Sequence, residues 1–226
     1  MVASMTYLRK HGLILAALLF ATTLVYVNGL SNPFVPDDRY IIFKNFQYSQ
    51  EWKVQDLFQR SLFSTRPSES SYFRPLTLLT FGLNHLLAED NPKGYRVVNL
   101  ALHLLVIFLI TLLLFHLTGR WIVLFSAALF AVHPANVQAV SYISSRSDPL
   151  YTVFALLCLL SWRKGNEASG KRRILYLGCA LGAFFLGLFA KENIVVVPLL
   201  AVAMSLCWNR EGTIEKGLRR NLGWYL

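Results

Sequence analysis

The run YRVVNLALHLLVIFLITLLLFHL, Tyr95 to Leu117, most narrows what this chain can become. It exceeds the roughly 18 apolar residues that mark a membrane span. A segment in hydrocarbon must satisfy its own backbone, which means a helix here. Other apolar runs resemble it. Read along the chain, they are Gly12–Leu30, Tyr95–Leu117, Trp121–Val132, Asn136–Trp162, Ile174–Ala190 and Ile194–Trp208. The expectation is an all-α polytopic membrane protein with about six transmembrane helices. Composition agrees: 55% of residues are hydrophobic, 15% are charged, and the mean hydropathy is +0.46. A soluble domain is closer to half apolar and a quarter charged.

The net charge of +10 would suit nucleic acid if it were clustered without regard to the spans. It is not. Arg9 and Lys10 precede the first span, and Arg120 separates the second from the third. Arg163, Lys164, Lys171, Arg172 and Arg173 separate the fourth from the fifth, and Arg210, Lys216, Arg219 and Arg220 follow the sixth. With six alternating spans all of these lie on one side. The positive-inside rule makes that side cytosolic, and nucleic acid becomes an unnecessary partner. The first span has a basic start but no A-x-A cleavage site after LVYVNGLSN, so it reads as a retained anchor. Cys158, Cys179 and Cys207 all fall inside apolar runs, which predicts no disulfide framework.

Residues 31–93 then form an extracytoplasmic first loop. Loops beyond about 12–15 residues usually carry structure or function of their own. Two helices are expected within it, Glu51–Phe63 and the more apolar Phe73–Ala88, both suited to a membrane interface. TRPSESS reads as the turn between them, and EDNPKGY as the turn into the next span. Residues 1–226 read as one partial module. Residues 209–226 form a cytosolic tail or, through NLGWYL, the start of a seventh span.

Chemistry-bearing residues gather on the outer side. Asp37 and Asp38 follow the first span: a polar collar, a cation site, or a general base with its helper. Asp37 follows Pro36, and Arg39 is placed to neutralise Asp38. Arg74, in FRPLT, snorkels to headgroups or binds a phosphate. HPANVQAVSYISSRSDPL carries His133, whose following proline ends a span. It also carries Gln138, Ser141, Ser145 and Asp148 at helical spacing, a polar stripe on the fourth span. Arg146 and Asp148 are ionisable groups at membrane depth, which face a wet cavity or find partners. Two positions apart on one helix, they do not face each other. Lys191 and Glu192, in AKENIVVVP, make a solvated turn or meet an anion such as phosphate. Asn99, His103 and His85 read as packing or hydrogen-bonding residues. No HxH, HExxH or CxxC spacing points to protein-held zinc.

In order, VPDD, FRPLT, NPKGYRVVNLALH, HPANVQAVSYISSRSDPL and AKENIVVVP resemble integral-membrane glycosyltransferases of the GT-C type. The likeness is closest to the N-terminal portion of the transmembrane and tetratricopeptide-repeat-containing O-mannosyltransferases and their bacterial relatives. It runs from about Phe34 to Pro198. It implies transfer of a mannose-like sugar, with inversion, from a polyprenyl-phosphate donor to an acceptor hydroxyl, most simply a protein Ser or Thr. It implies Asp37 and Asp38 as the catalytic pair, with a divalent metal such as Mg or Mn at Asp38. Arg74, Arg146, Asp148, Lys191, Glu192 and His133 become substrate-binding candidates. Membrane lipid and a protein or lipid acceptor are the expected partners, in a bacterial inner membrane or an endoplasmic reticulum membrane. Gln138 stands where many relatives have Glu, and Arg96 where His is frequent. A truncated, non-catalytic membrane module is the alternative.

Overall fold

A computed structural model describes residues 2–43, 46, 62, 72–118 and 122–208. The expected helix Glu51–Phe63, apart from Leu62, and the tail 209–226 lie outside the described residues.

All regular elements among the described residues are helical, without strands. The helices are α1 (Val2–Val27), α2 (Pro36–Ile42), α3 (Pro75–Ala88), α4 (Pro92–Thr118), α5 (Ile122–Ala131), α6 (Asn136–Ser141), α7 (Ser147–Glu167), α8 (Gly170–Ala190) and α9 (Val197–Trp208). Two 3-10 turns, Ile143–Arg146 and Glu192–Val196, lead into α7 and α9. Proline opens α2, α3 and α4. Its fixed φ suits a first turn, and its missing N–H has no helical partner there in any case.

Two described helices are long and apolar enough to cross a membrane, Pro92–Phe115 and Gly170–Ala190. His11–Val27, Pro75–Ala88, Ile122–Ala131 and Glu192–Leu206 are shorter apolar helices. The molecule carries Leu13, Leu87, Ile174 and Leu199 at 90%, 88%, 74% and 68% exposure. That much bare apolar surface is disfavoured in water and suits hydrocarbon. The main core joins α4, α7, α8 and the start of α9 through Val106, Leu109, Val153, Leu156, Ala183 and Val197. A second core packs α2 against α3 and α4 through Ile41, Leu78, Phe81 and Tyr95, closed by Ile143 of the first 3-10 turn.

The expected fourth span, Asn136–Trp162, is not one helix. The chain turns out of α6 at Tyr142 (φ −89°, ψ 116°), passes through the 3-10 turn and restarts as α7. Gln138, Ser141, Ser145 and Asp148 therefore do not share a helical face. The cause lies in neighbouring side chains. Arg96 donates to the Ser141 carbonyl, Asn99 to the Ala139 and Tyr142 carbonyls, and Asp38 accepts the Ser144 N–H. A continuous helix would use those backbone groups itself. Buried backbone polar groups must be paired, and here side chains take the place of the helical ladder.

α3 and α4 are joined by a tight turn in which the Asn91 N–H donates to the Ala88 carbonyl at 2.9 Å. Glu89 sits there at φ 47° and ψ −123°, a conformation that favours glycine. A Cβ on Gly94 would come within 2.4 Å of the Ala88 Cβ. Only glycine lets α4 start this close to the end of α3.

Candidate functional site

The segment Ser141–Asp148 receives polar contacts from α2, from α3 and the Arg74 that precedes it, from α4 and from Lys191.

Arg146 is fully buried. Its Nε donates to Asn99 Oδ1 at 2.8 Å and its Nη1 to the Thr80 carbonyl at 3.1 Å. Nη2 donates to Asn84 Oδ1 at 2.7 Å and to the Tyr95 carbonyl at 2.9 Å. The guanidinium lies 4.5 Å over the Phe81 ring. Four of its five donors are used on neutral oxygens of α3 and α4. Arg146 is thus placed to fix helix packing, and it offers no face to a donor phosphate.

Arg96 is likewise buried, at 1% exposure. It donates to Ser141 O, to Asn32 O and to Pro33 O. Arg96, Asn99 and His103 are spaced three and four apart, so they form one stripe of α4. His103 Nε2 lies 3.1 Å from the Ala131 carbonyl, carrying the stripe on to the end of α5. Arg96 also stands beside Asp38, with Nη2 4.0 Å from Oδ2. The sequence neighbour Arg39, expected to neutralise Asp38, is exposed instead. The signal for Arg96 was present in the sequence: a charge inside the longest apolar run is costly unless partnered, the same argument that singled out Arg146.

The two adjacent aspartates have opposite surroundings. Asp38 has no exposed surface; its Oδ1 accepts the Ser144 N–H at 2.8 Å, and its Oδ2 has no hydrogen-bond partner. Asp37 is exposed on the first turn of α2. For the divalent metal expected at Asp38, the described residues supply no ligand set. Among the described residues no three metal-ligating side chains converge, and the nearest charged group is a guanidinium.

Arg74, Asp148, Lys191 and Glu192 do converge. Arg74, at the N-terminus of α3, donates to Glu192 through Nη2 (2.7 Å) and Nε (3.2 Å), and to Ser147 Oγ through Nη1 (3.2 Å). Lys191 pairs with Asp148, which satisfies the expectation that Asp148 and Arg146 find different partners. Thr77 Oγ1 donates to the Ala190 carbonyl at 3.0 Å, pinning α3 to the end of α8. The cations are mostly covered, with side-chain exposures of 10% for Arg74 and 17% for Lys191. The carboxylates face outward, at 58% for Glu192 and 41% for Asp148. The hydrogen bonds from Arg74 pull the Glu192 carboxyl below its ordinary pKa. Ser147 was not singled out in the sequence, because a lone serine carries no pattern. His133 lies apart: it is exposed, and its Nδ1 accepts the N–H of Ala135 at 3.2 Å.

Comparison with known proteins meets this arrangement from another direction. The chain is 34% identical over 188 residues to the protein O-mannosyl-transferase TMTC3 of Homo sapiens, covering 80% of this chain and 20% of that protein. It is 31% identical over 206 residues to Tmtc2 of Drosophila melanogaster, a protein O-mannosyl-transferase by name, covering 88% of this chain and 22% of that protein. The chain is a relative of the TMTC protein O-mannosyl-transferases, matched over part of their length. TMTC4 of Homo sapiens extends the set at 30% identity over 202 residues, with 78% of this chain and 27% of that protein covered. The chain spans about a fifth of the length of the first of these TMTC relatives. No protein-family model matches the chain, and no solved structure matches it at a significant level. The resemblance drawn from the sequence motifs is thereby established for the TMTC group.

Proposed function

We propose that this chain is the membrane portion of a glycosyltransferase that moves a mannose-like sugar from a polyprenyl-phosphate donor to a protein Ser or Thr hydroxyl, with inversion. The observation that carries the reading is the convergence of Arg74, Lys191, Asp148 and Glu192 at the ends of α3 and α8 and the start of α7. Two cations held by partly exposed carboxylates suit a group that leaves as a phosphate. The names of the TMTC relatives supply the sugar and the acceptor class.

In this reading Asp37 is the base, because it is exposed while Asp38 is sealed. The acceptor oxygen attacks the anomeric carbon. The bond from that carbon to the phosphate oxygen breaks, and its electron pair leaves on the phosphate. The acceptor proton passes to Asp37. Lys191 and Arg74 turn from Asp148 and Glu192 toward the leaving phosphate and stabilise its charge. Asp38 and Arg96 hold α2 against the Ser141–Asp148 segment, so that Asp37 keeps its place. The charged cluster then faces the outer side of a multi-pass arrangement in a bacterial inner membrane or an endoplasmic reticulum membrane.

The test reconstitutes the protein's natural reading frame in vesicles with labelled polyprenyl-phosphate mannose or labelled nucleotide-linked mannose. Transfer to hydroxyl residues from the lipid donor alone, with an inverted anomeric centre, is expected. Transfer from the nucleotide sugar without a lipid carrier, or retention at the anomeric carbon, overturns the reading.

A further inference from the structure

Midway along α7 and α8, toward the hairpin that joins them, lies a feature that sugar transfer does not use. A cavity of about 270 Å³ opens between α7, α8 and the start of α9, walled by Trp162, Leu177, Phe184, Pro198 and Ala201 among others. Its lining is almost wholly apolar. Trp162 immediately precedes Arg163 and Lys164, and Leu177 stands one turn beyond Arg173. The hairpin between them also carries Lys171 and Arg172, both exposed. Lys164, Lys171 and Arg172 thus add positive charge to the turn, while the neighbouring Arg163 binds Glu167 at 2.8 Å. Lys164 Nζ lies 6.0 Å over the Tyr176 ring, at the α7–α8 seam leading to the cavity. Ile174 and Leu175, next to the basic turn, are exposed apolar residues. They mark where the hairpin enters hydrocarbon.

We propose that this groove and its basic rim form a binding site for an anionic phospholipid. One acyl chain occupies the cavity between α7, α8 and α9, and the phosphate headgroup sits against Lys164, Lys171 and Arg172. Charge complementarity selects this occupant. An apolar membrane helix would fill the cavity equally well, but it would bring no negative charge to Lys164, Lys171 and Arg172 at the rim. An anionic lipid satisfies both ends at once. The site does not depend on the catalytic reading, because it shares no residue with the charged cluster around Arg74. It gives α7 and α8, which hold Asp148 and position Lys191 at their far ends, a lipid anchor at the other membrane face.

The experiment uses the wild-type chain in vesicles of phosphatidylcholine containing phosphatidylglycerol with a photoreactive acyl chain. Labelled peptides are mapped by mass spectrometry. Labelling is expected to concentrate on Cys158–Trp162 and Leu177–Phe184. Unlabelled phosphatidylglycerol is expected to compete, and added phosphatidylcholine to compete far less. Each cation near an anionic headgroup contributes about fivefold in affinity. The triple variant Lys164→Gln/Lys171→Gln/Arg172→Gln should therefore lower groove labelling more than tenfold while the label on other lipid-facing helices stays constant. High salt should weaken the preference in the wild type. Equal competition by both lipids overturns the proposal, since the headgroup is then not read. Absence of label from the groove walls, with label elsewhere, also overturns it, since another protein segment then covers the cavity.

Discussion

Arg74 and Glu192, 118 residues apart in sequence, are joined by two hydrogen bonds, Nη2–Oε1 at 2.7 Å and Nε–Oε2 at 3.2 Å. The pair ties the start of α3 to the turn between α8 and α9. Because Glu192 is more than half exposed, solvent screens the interaction, and it contributes about 0.2–1 kcal/mol. The hydrogen bonds from Arg74 lower the Glu192 pKa in the folded state relative to 4.5. A carboxylate with a depressed folded pKa adds stability that is complete above its unfolded pKa and lost as pH falls through the folded value. Thermal unfolding from neutral pH to about pH 3 should therefore show an acid-side loss in the wild type that is smaller in Glu192→Gln. An unchanged acid limb in that variant would remove the pair from the account of stability.

Arg146 presents the opposite energetic situation. It is sealed, and it donates to Asn99, Asn84, Thr80 and Tyr95. Arg146→Ala would leave the Asn99 and Asn84 amide oxygens buried without this donor, each costing about 1–3 kcal/mol when unsatisfied, and would remove a second bond from the Thr80 and Tyr95 carbonyls, which keep their helical partners. A loss of about 3–5 kcal/mol is expected. Arg146→Lys should not rescue it, because an ammonium cannot reproduce the planar fork. Thermal stability in detergent tests this: a lysine variant with wild-type stability would show that charge alone, not the fork, holds the three elements together.

Gly94 makes a cleaner steric case. Gly94→Ala would place its Cβ 2.4 Å from the Ala88 Cβ, and neither atom belongs to a flexible side chain. Overpacking of this kind costs about 1–3 kcal/mol. Removing the other methyl should relieve it, so Ala88→Gly/Gly94→Ala is expected to regain most of the stability that Gly94→Ala loses. A double-mutant cycle gives the answer directly, and simple additivity would contradict the contact.

Much of this architecture is legible in the residues. Pro75 announces the start of α3, and the longest apolar run becomes the longest described helix, α4, which however begins at Pro92, inside the segment EDNPKGY expected to be a turn. The separation of Arg146 from Asp148 follows from their spacing, and the structure gives each its own partners. The break at Tyr142 is not legible. The periodicity of Gln138, Ser141, Ser145 and Asp148 argues for a single helix, and local sequence carries no stop signal between them. What breaks it is tertiary: Arg96, Asn99 and Asp38 capture the backbone from a distance. For the same reason Asp37 and Asp38 look equivalent in sequence and differ in the fold. One turn of α2 directs one carboxylate to the surface and the other to Ser144.

That difference makes the aspartates separable by experiment. Asp37 is exposed on α2, so Asp37→Asn should leave stability within about 0.5 kcal/mol of wild type. If Asp37 takes the acceptor proton, the same variant should lower kcat by about 10²–10⁴ with little change in donor affinity, since the base acts in the chemical step. Asp38→Asn should behave in reverse. An amide oxygen can still accept the Ser144 N–H, but the carboxylate charge facing Arg96 is gone, and a buried guanidinium loses that counter-charge. Stability should fall by about 3–5 kcal/mol, as when one member of a buried pair is removed. Activity should then fall in proportion to folded protein, with turnover per folded molecule largely kept. Stability and turnover measured on both variants decide between the roles. An Asp37→Asn protein with near-normal turnover, or a stable Asp38→Asn protein that has lost it, would move the base from Asp37 to Asp38.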